Sequence, residues 1–182
     1  MEGAVQEHCL PAEQGSLQRQ RVRCLTWLAD GQRLAAAVSA DERAERIVVF
    51  SADGSTPART LSADVGRVVT LHAAPKGSCI AVTNHRQEIG VLELDSPEPV
   101  FRVIDRSSYE RIAGASFSPD GRFLAYALPY TLSQTRLMIC RLETGETRPV
   151  TTPVLRDVLP AFDPSGRYLY FIGSRDFEPV YD

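Results

Sequence analysis

A turn containing glycine recurs along the chain at intervals of about 45 residues, and this repeat constrains the fold more than any other feature. The four turns are Asp30-Gly31, Lys76-Gly77, Asp120-Gly121 and Ser165-Gly166. Similar residues surround them, as in S-F-S-P-D-G-R-F-L-A-Y from Ser116 and A-F-D-P-S-G-R-Y-L-Y-F from Ala161. Four such turns at one period indicate a single structural unit used repeatedly, because unrelated strands would not repeat their turns in register.

Each repeat is predicted to form two β-hairpins. Pro119 fixes φ for the second position of a tight turn, and Gly121 supplies the positive φ that the reversal needs. A second glycine turn, such as Thr144-Gly145, separates a third strand from a weaker and more polar fourth strand. Four short strands per repeat, without helical periodicity, predict an all-β chain that folds as a β-propeller of four-stranded antiparallel blades.

The repeat divides the chain into about four blades of a single domain, three of them whole. The predicted whole blades span 22–63, 68–105 and 112–153, and half blades span 4–20 and 158–176. The two halves could pair in a four-bladed ring within one chain, or two chains could exchange halves into an eight-bladed ring. A piece of a longer ring is the third alternative. We favour the homodimer, because four blades is the lower end of the usual range.

Composition argues against two classes of partner. With 43% hydrophobic and 24% charged residues the chain is typical of a globular protein, and no apolar run is long enough to span a membrane. The net charge of -3 and the scattered Lys and Arg residues give no reason to expect nucleic acid. The cysteines, Cys9, Cys24, Cys79 and Cys140, lack metal-ligand spacing and are expected to be reduced, buried side chains. With no basic and apolar leader at the N-terminus, we expect a cytoplasmic location.

The C-terminal part of the chain resembles the tricorn protease family of bacteria and archaea. The resemblance rests on A-G-A-S-F-S-P-D-G-R-F-L-A-Y from Ala113, L-E-T-G-E-T-R-P-V-T from Leu142, V-L-R-D from Val154 and R-D-F-E-P-V-Y-D from Arg175. The last of these is the most specific, since the P-D-G turn also occurs in other propellers. The resemblance implies that this chain corresponds to late blades of the family's second, seven-bladed propeller.

The resemblance also has consequences for function. In that family the propellers are not catalytic and are thought to guide peptides to and from a serine-protease site built by later domains. The resemblance therefore implies a module that channels peptides or contacts partners, with no catalytic residue and no cofactor carried over to this chain.

The residues themselves also show no recognisable pair of nucleophile and base. None of His8, His72 and His85 lies in a nucleophile motif, and His72 is expected to be a hydrogen-bonded core or channel residue. The acidic neighbourhood of Asp157, Asp163, Asp176 and Asp182 is too sparse to predict a calcium site, and Asp163 is expected to cap its own turn.

Candidate binding residues come instead from the loops of one rim. Loops between the second and third strands, and loops between blades, open on the same end of a propeller, where ligands usually bind. Arg86, Tyr130, Arg175 and Phe177 lie in these loops and suit a peptide or a protein partner, through aromatic burial and pairing of Arg with carboxylates. An autonomous scaffold that assembles without a ligand is the alternative, and a cryptic hydrolase is the least favoured one.

Overall fold

The computed structural model describes residues 21–39, 45–152 and 155–174. Within these ranges every regular element is a β-strand, in three four-stranded sheets and one two-stranded sheet. Blade A contains β1 (Arg21–Trp27), β2 (Arg33–Ser39), β3 (Glu45–Ser51) and β4 (Arg59–Thr60). Blade B contains β5 (Val68–Ala73), β6 (Cys79–Asn84), β7 (Glu88–Glu93) and β8 (Arg102–Arg106). Blade C contains β9 (Ala115–Phe117), β10 (Phe123–Pro129), β11 (Thr135–Arg141) and β12 (Thr147–Pro149), and blade D contains β13 (Asp157–Phe162) and β14 (Leu169–Gly173).

Consecutive strands pair antiparallel within each blade, and the blades follow one another in chain order. The first strand of each blade is the innermost one, since β1 packs on β5, β5 on β9, and β9 on β13. The outermost strands have two residues in β4, five in β8 and three in β12. The prediction of an all-β chain built from four-stranded antiparallel blades is therefore confirmed. The predicted half blade at 4–20 lies outside the described residues.

Apolar side chains fill the space between neighbouring blades. We call the side of a blade that packs on the next blade its forward face, and the opposite side its backward face. Because side chains alternate along a strand, the second strand of each blade contributes to both faces. Forward faces carry small residues there: Ala35 and Ala37 in blade A, Ala81 and Thr83 in blade B, Ala125 and Ala127 in blade C. Backward faces carry larger ones: Ile80 and Val82 in blade B, Leu124 and Tyr126 in blade C.

The hairpin turns have the backbone that the sequence predicts. Gly121 has a φ of 74°, and its amide donates to the Ser118 carbonyl at 2.8 Å. That φ lies in the left-handed region, where glycine avoids the steric cost that other residues bear.

The inner strand of blade C is shorter than predicted. The sequence suggests a strand from Ile112 to Phe117, whereas β9 begins at Ala115. Gly114 interrupts the extended backbone with a φ of 78°, and a Cβ there would lie 3.3 Å from the Cα atom of Leu159 in blade D. The inner strands of blades A, B and D contain register shifts near the same end. The start of each inner strand is therefore bent away from regular pairing.

Candidate functional site

The ends of β2, β6 and β10 and the starts of β3, β7 and β11 lie at one end of the blade array, together with the described residues of the linkers between blades. We call this end the upper rim and the opposite end the lower rim. The inner strands also begin at the upper rim, because each follows directly after a linker. Residues at these positions therefore surround the place where the inner strands meet.

Arg86 lies on the upper rim, in the turn between β6 and β7, as predicted. Its guanidinium donates to both carboxylate oxygens of Asp64, at 2.9 and 2.7 Å. This bond, followed by the bond from the Gly66 amide, holds the pKa of Asp64 below its usual value. The neighbouring His85 accepts the Arg67 amide through Nδ1 at 2.9 Å. Arg86 and His85 thus fix the linker between blades A and B against the hairpin of blade B.

Tyr130 follows β10 on the same rim and is half exposed. The guanidinium carbon of Arg136 lies 4.7 Å from the centre of the Tyr130 ring, in cation–π geometry. The Arg136 Nε atom is buried and has no hydrogen-bond partner among the described residues. Arg86 and Tyr130 therefore occupy the same rim on adjacent blades, whereas Arg175 and Phe177 lie outside the described residues.

An arginine occupies the same repeat position at the start of β1, β5 and β13 and ahead of β9. Arg21 is the first residue of β1, and Arg67 and Arg156 directly precede β5 and β13. Arg111 precedes Ile112, which is equivalent to Val22 and Val68 at the starts of the other inner strands. All four arginines are exposed, so the upper rim carries one cationic side chain per blade close to where the inner strands converge.

Among the described residues, few carboxylates neutralise the charge of these four arginines. Arg156 lies 3.8 Å from Glu110 and donates to the Leu132 carbonyl at 3.4 Å. No carboxylate of the described residues forms a salt bridge with Arg21, Arg67 or Arg111. These arginines were not among the residues predicted from the sequence, although they recur at the same interval of about 45 residues as the glycine turns.

The buried side chains of Glu45 and Thr135 join adjacent blades at the upper rim. Glu45, at the start of β3, accepts the Val68 amide at 2.6 Å and Arg23 Nε at 2.7 Å. Thr135, at the start of β11, accepts the Asp157 amide through its hydroxyl at 3.0 Å. In blades A and C the first residue of the third strand thus binds the backbone of the next blade. The Glu45 carboxylate forms no salt bridge with Arg21, Arg67, Arg111 or Arg156.

The surroundings of His72 and Asp163 are those of residues that support the fold rather than of catalytic residues. His72 lies on β5, burial lowers its pKa, and its Nε2 atom has no hydrogen-bond partner among the described residues, which differs from the hydrogen-bonded role expected. Asp163 accepts the Tyr168 amide at 2.7 Å and the Ser165 amide at 3.1 Å, which confirms that it caps its own turn. The described residues contain no group of three or more potential metal ligands, and none of their elements is a helix able to cross a membrane.

The described cysteines are free thiols placed among apolar side chains. Burial, with a smaller contribution from the Glu45 carboxylate, raises the pKa of Cys24 to about 11. Burial and the nearby Glu93 carboxylate raise the pKa of Cys79 to about 12. Because the thiolate is the nucleophilic form, neither side chain has the environment of a reactive cysteine.

Comparison with known proteins identifies the family. A family model described as the tricorn protease second beta propeller domain matches residues 8–182. The chain belongs to this family. A protein of Sulfurisphaera tokodaii named as a tricorn-like protease C-terminal subunit is 32% identical over 173 residues, which are 94% of this chain and 19% of that protein. The tricorn protease homolog of Saccharolobus solfataricus is 30% identical over 138 residues, which are 76% of this chain and 12% of that protein.

A solved structure supports the same assignment of the fold. The crystal structure of the tricorn protease superposes with a TM-score of 0.78 at 23% identity, over 89% of this chain and 16% of that chain. The resemblance seen in the sequence is therefore confirmed, and the chain is a tricorn-type propeller segment. It spans less than a fifth of the length of the tricorn relatives described above.

Proposed function

We propose that the chain is a non-catalytic propeller module that binds peptides or a protein partner through its upper rim. The ligand class that fits best is a peptide with exposed carboxylates, either acidic side chains or a free C-terminus. Guidance of such peptides along the axis of a completed ring extends the same proposal.

The observation that supports this proposal is the arginine at the same repeat position of each blade. Like charges placed around one opening reinforce each other's potential and concentrate anions there. Guanidinium groups pair with carboxylates in two-pronged geometry, which selects this group over a neutral amide. Tyr130, stacked on Arg136, adds an aromatic surface at the edge of the opening.

A binding measurement with matched variants tests the proposal. The probe is a fluorescein-labelled peptide with consecutive glutamates at its free carboxyl end, followed by fluorescence anisotropy. Arg67→Ala combined with Arg111→Ala should weaken binding about tenfold, since two exposed charge contacts contribute roughly 0.7 kcal/mol each. Binding should also weaken with rising salt.

The control is Arg122→Ala combined with Arg141→Ala, which removes the same charge from the lower rim, where both side chains lie near the Phe123 ring. This variant should bind the peptide like the unmodified chain. An equal loss in both double variants, or no binding by the unmodified chain, would contradict the proposal.

A second candidate function is an assembly scaffold. It is favoured by blade D, in which the described residues form only two strands, so that the outer edge of β14 has no partner strand among them. An unpaired edge favours addition of a further strand. On this reading two chains form a homodimer by exchanging half blades, and the upper rim needs no ligand. For either function we propose a cytoplasmic location, supported by the free thiols of Cys24, Cys79 and Cys140.

A further inference from the structure

The lower rim has a cleft at each of the two junctions between whole blades. The cleft between blades A and B has a volume of about 150 Å³, and Arg33 and Asp95 are among its lining residues. The cleft between blades B and C has a volume of about 310 Å³, and Cys79 and Glu143 are among its lining residues. We call them the A–B cleft and the B–C cleft. The second is roughly twice as large as the first.

These lining residues occupy equivalent positions in the repeat. Arg33 and Cys79 each lie two residues after the turn glycine of their blade. Asp95 and Glu143 each follow a leucine whose amide donates to the carbonyl of the residue after a turn glycine, at 3.0 Å in both blades. The two junctions can therefore be compared side chain by side chain.

A guanidinium group of blade A fills part of the A–B cleft. Arg33 Nη1 and Nη2 donate to the two carboxylate oxygens of Asp95 in blade B, at 2.7 and 3.3 Å. Arg33 Nε donates to Asp30 at 2.6 Å, which fixes the direction of the side chain. Two parallel bonds between a guanidinium and a carboxylate are a strong form of this contact. An arginine of one blade and an acid of the next thus join blades A and B at the lower rim.

The outer wall of the two clefts is built in the same way. Arg59 on β4 lines the A–B cleft and donates to the Leu94 carbonyl of blade B at 3.0 Å. Arg102 on β8 lines the B–C cleft and donates to the Leu142 carbonyl of blade C at 2.9 Å. The clefts therefore differ mainly in the side chain that fills them.

The B–C cleft has the acid of the pair without the arginine. Cys79, with its short side chain, stands in the place of Arg33. Glu143 is exposed, and its carboxylate forms no salt bridge with a cation of the described residues. Glu93 and Lys76 also line the cleft, and neither forms a salt bridge in the part of the chain that the structure describes. The space and the carboxylate that receive Arg33 at one junction thus recur at the next.

We infer that the B–C cleft binds an arginine side chain of another polypeptide, whose guanidinium pairs with Glu143 as Arg33 pairs with Asp95. A guanidinium matches both oxygens of a carboxylate, whereas an ammonium is a compact point charge, so lysine should fit less well. The site lies on the lower rim and takes a cation. It is therefore separate from the carboxylate-binding surface proposed for the upper rim.

Nuclear magnetic resonance of the isotope-labelled full chain tests the inference. The probe is the tripeptide acetyl-Gly-Arg-Gly-amide, which has no free carboxylate to bind the upper rim. The amides of Gly77, Ser78 and Gly121, which line the cleft, should shift and saturate as the peptide is added. The dissociation constant should be on the order of 1 mM, because a single side chain supplies the contacts. Acetyl-Gly-Lys-Gly-amide should bind several-fold more weakly.

Two variants and a matched control assign the contact to Glu143. Glu143→Gln should weaken binding of the arginine peptide about tenfold, because it removes a charge-assisted pair. Glu146→Gln is the control: Glu146 lies in the same β11–β12 connection, is exposed and does not line the cleft, so this variant should bind like the unmodified chain. Cys79→Arg should abolish the shifts of Gly77 and Gly121, because the chain's own guanidinium then occupies the cleft. The spectrum of each variant verifies that the fold is retained.

Three results would overturn the inference. They are the absence of shifts at the cleft up to about 10 mM arginine peptide, equal binding of the lysine peptide, and unchanged affinity of a folded Glu143→Gln chain. Failure here is separable from failure of the proposed function, since the acidic peptide and the Arg67 and Arg111 variants play no part in this experiment.

Discussion

The hydroxyl group of Tyr126 provides a sharp test of how adjacent blades are held together. Tyr126 is fully buried on β10, and its hydroxyl donates to Oδ2 of Asp105 on β8 at 2.8 Å. Burial and the Asp105 carboxylate both raise the pKa of Tyr126 above its ordinary value, as expected for a neutral donor beside an anion. Tyr126→Phe removes this donor and leaves the ring in place, so it creates no cavity.

The expected loss follows from the charge of the acceptor. A hydrogen bond to a charged group contributes roughly 1.5–3 kcal/mol to stability. Asp105 is partly exposed, so water can replace the lost donor, and we expect the lower end, about 1.5 kcal/mol. At 2–4 °C per kcal/mol for a chain of this size, the melting temperature should fall by roughly 3–6 °C.

Urea unfolding of four proteins measures the bond itself. They are the unmodified chain, Tyr126→Phe, Asp105→Asn and the double variant, and the two single changes should be coupled by about 1 kcal/mol. Tyr168→Phe is the control: its ring is largely exposed, and its free energy of unfolding should change by less than about 0.5 kcal/mol. If Tyr126→Phe unfolds like the unmodified chain, or if the two changes are additive, the hydroxyl does not link the blades.

Two further perturbations probe a turn and a buried carboxylate. Gly121→Ala should lower the free energy of unfolding by about 1–2 kcal/mol, because φ is 74° and the nearest atom to an added Cβ is 3.9 Å away, so the cost is in the backbone. Asparagine tolerates this conformation better than alanine, so Gly121→Asn should lower the melting temperature by less than Gly121→Ala does. Equal decreases in melting temperature would disprove the backbone explanation. Burial alone would raise the pKa of Glu88, but bonds from Asn84 and Arg106 outweigh it and lower that pKa below 4.5. A depressed folded-state pKa stabilises the fold above pH 4.5, and this contribution disappears as the pH falls through the folded-state value. The stability difference between Glu88→Gln and the unmodified chain should therefore shrink in urea titrations below pH 4.5, and a constant difference would contradict the assignment.

The fold was predictable because its determinants are local and repeated. The residues around Gly31, Gly77, Gly121 and Gly166 specify a reversal within a few positions, and their period alone indicates stacked identical units. The length of β9 was not predictable from the pattern. Ile112 and Ala113 look like strand residues, and only the contact of Gly114 with Leu159 of another blade explains why pairing starts later.

The candidate site was predicted less completely, for a physical reason. The sequence predicted that Arg86 and Tyr130 lie on one rim, because loop positions follow from the order of strands. It could not show that Arg86 pairs with Asp64, since that contact joins different hairpins and leaves no local pattern. The repeated arginines could have been found, because their period equals that of the turns.

The two unlike faces of each blade give the array a direction. A unit with alanines on one side and larger side chains on the other can follow any similar unit but cannot be turned around. Gain or loss of one whole unit would leave both flanking units with contacts of the kind they had before. Blade D, with Tyr170 in place of alanine, departs from this pattern, so a blade stacked on its forward face would need a smaller side chain opposite that position.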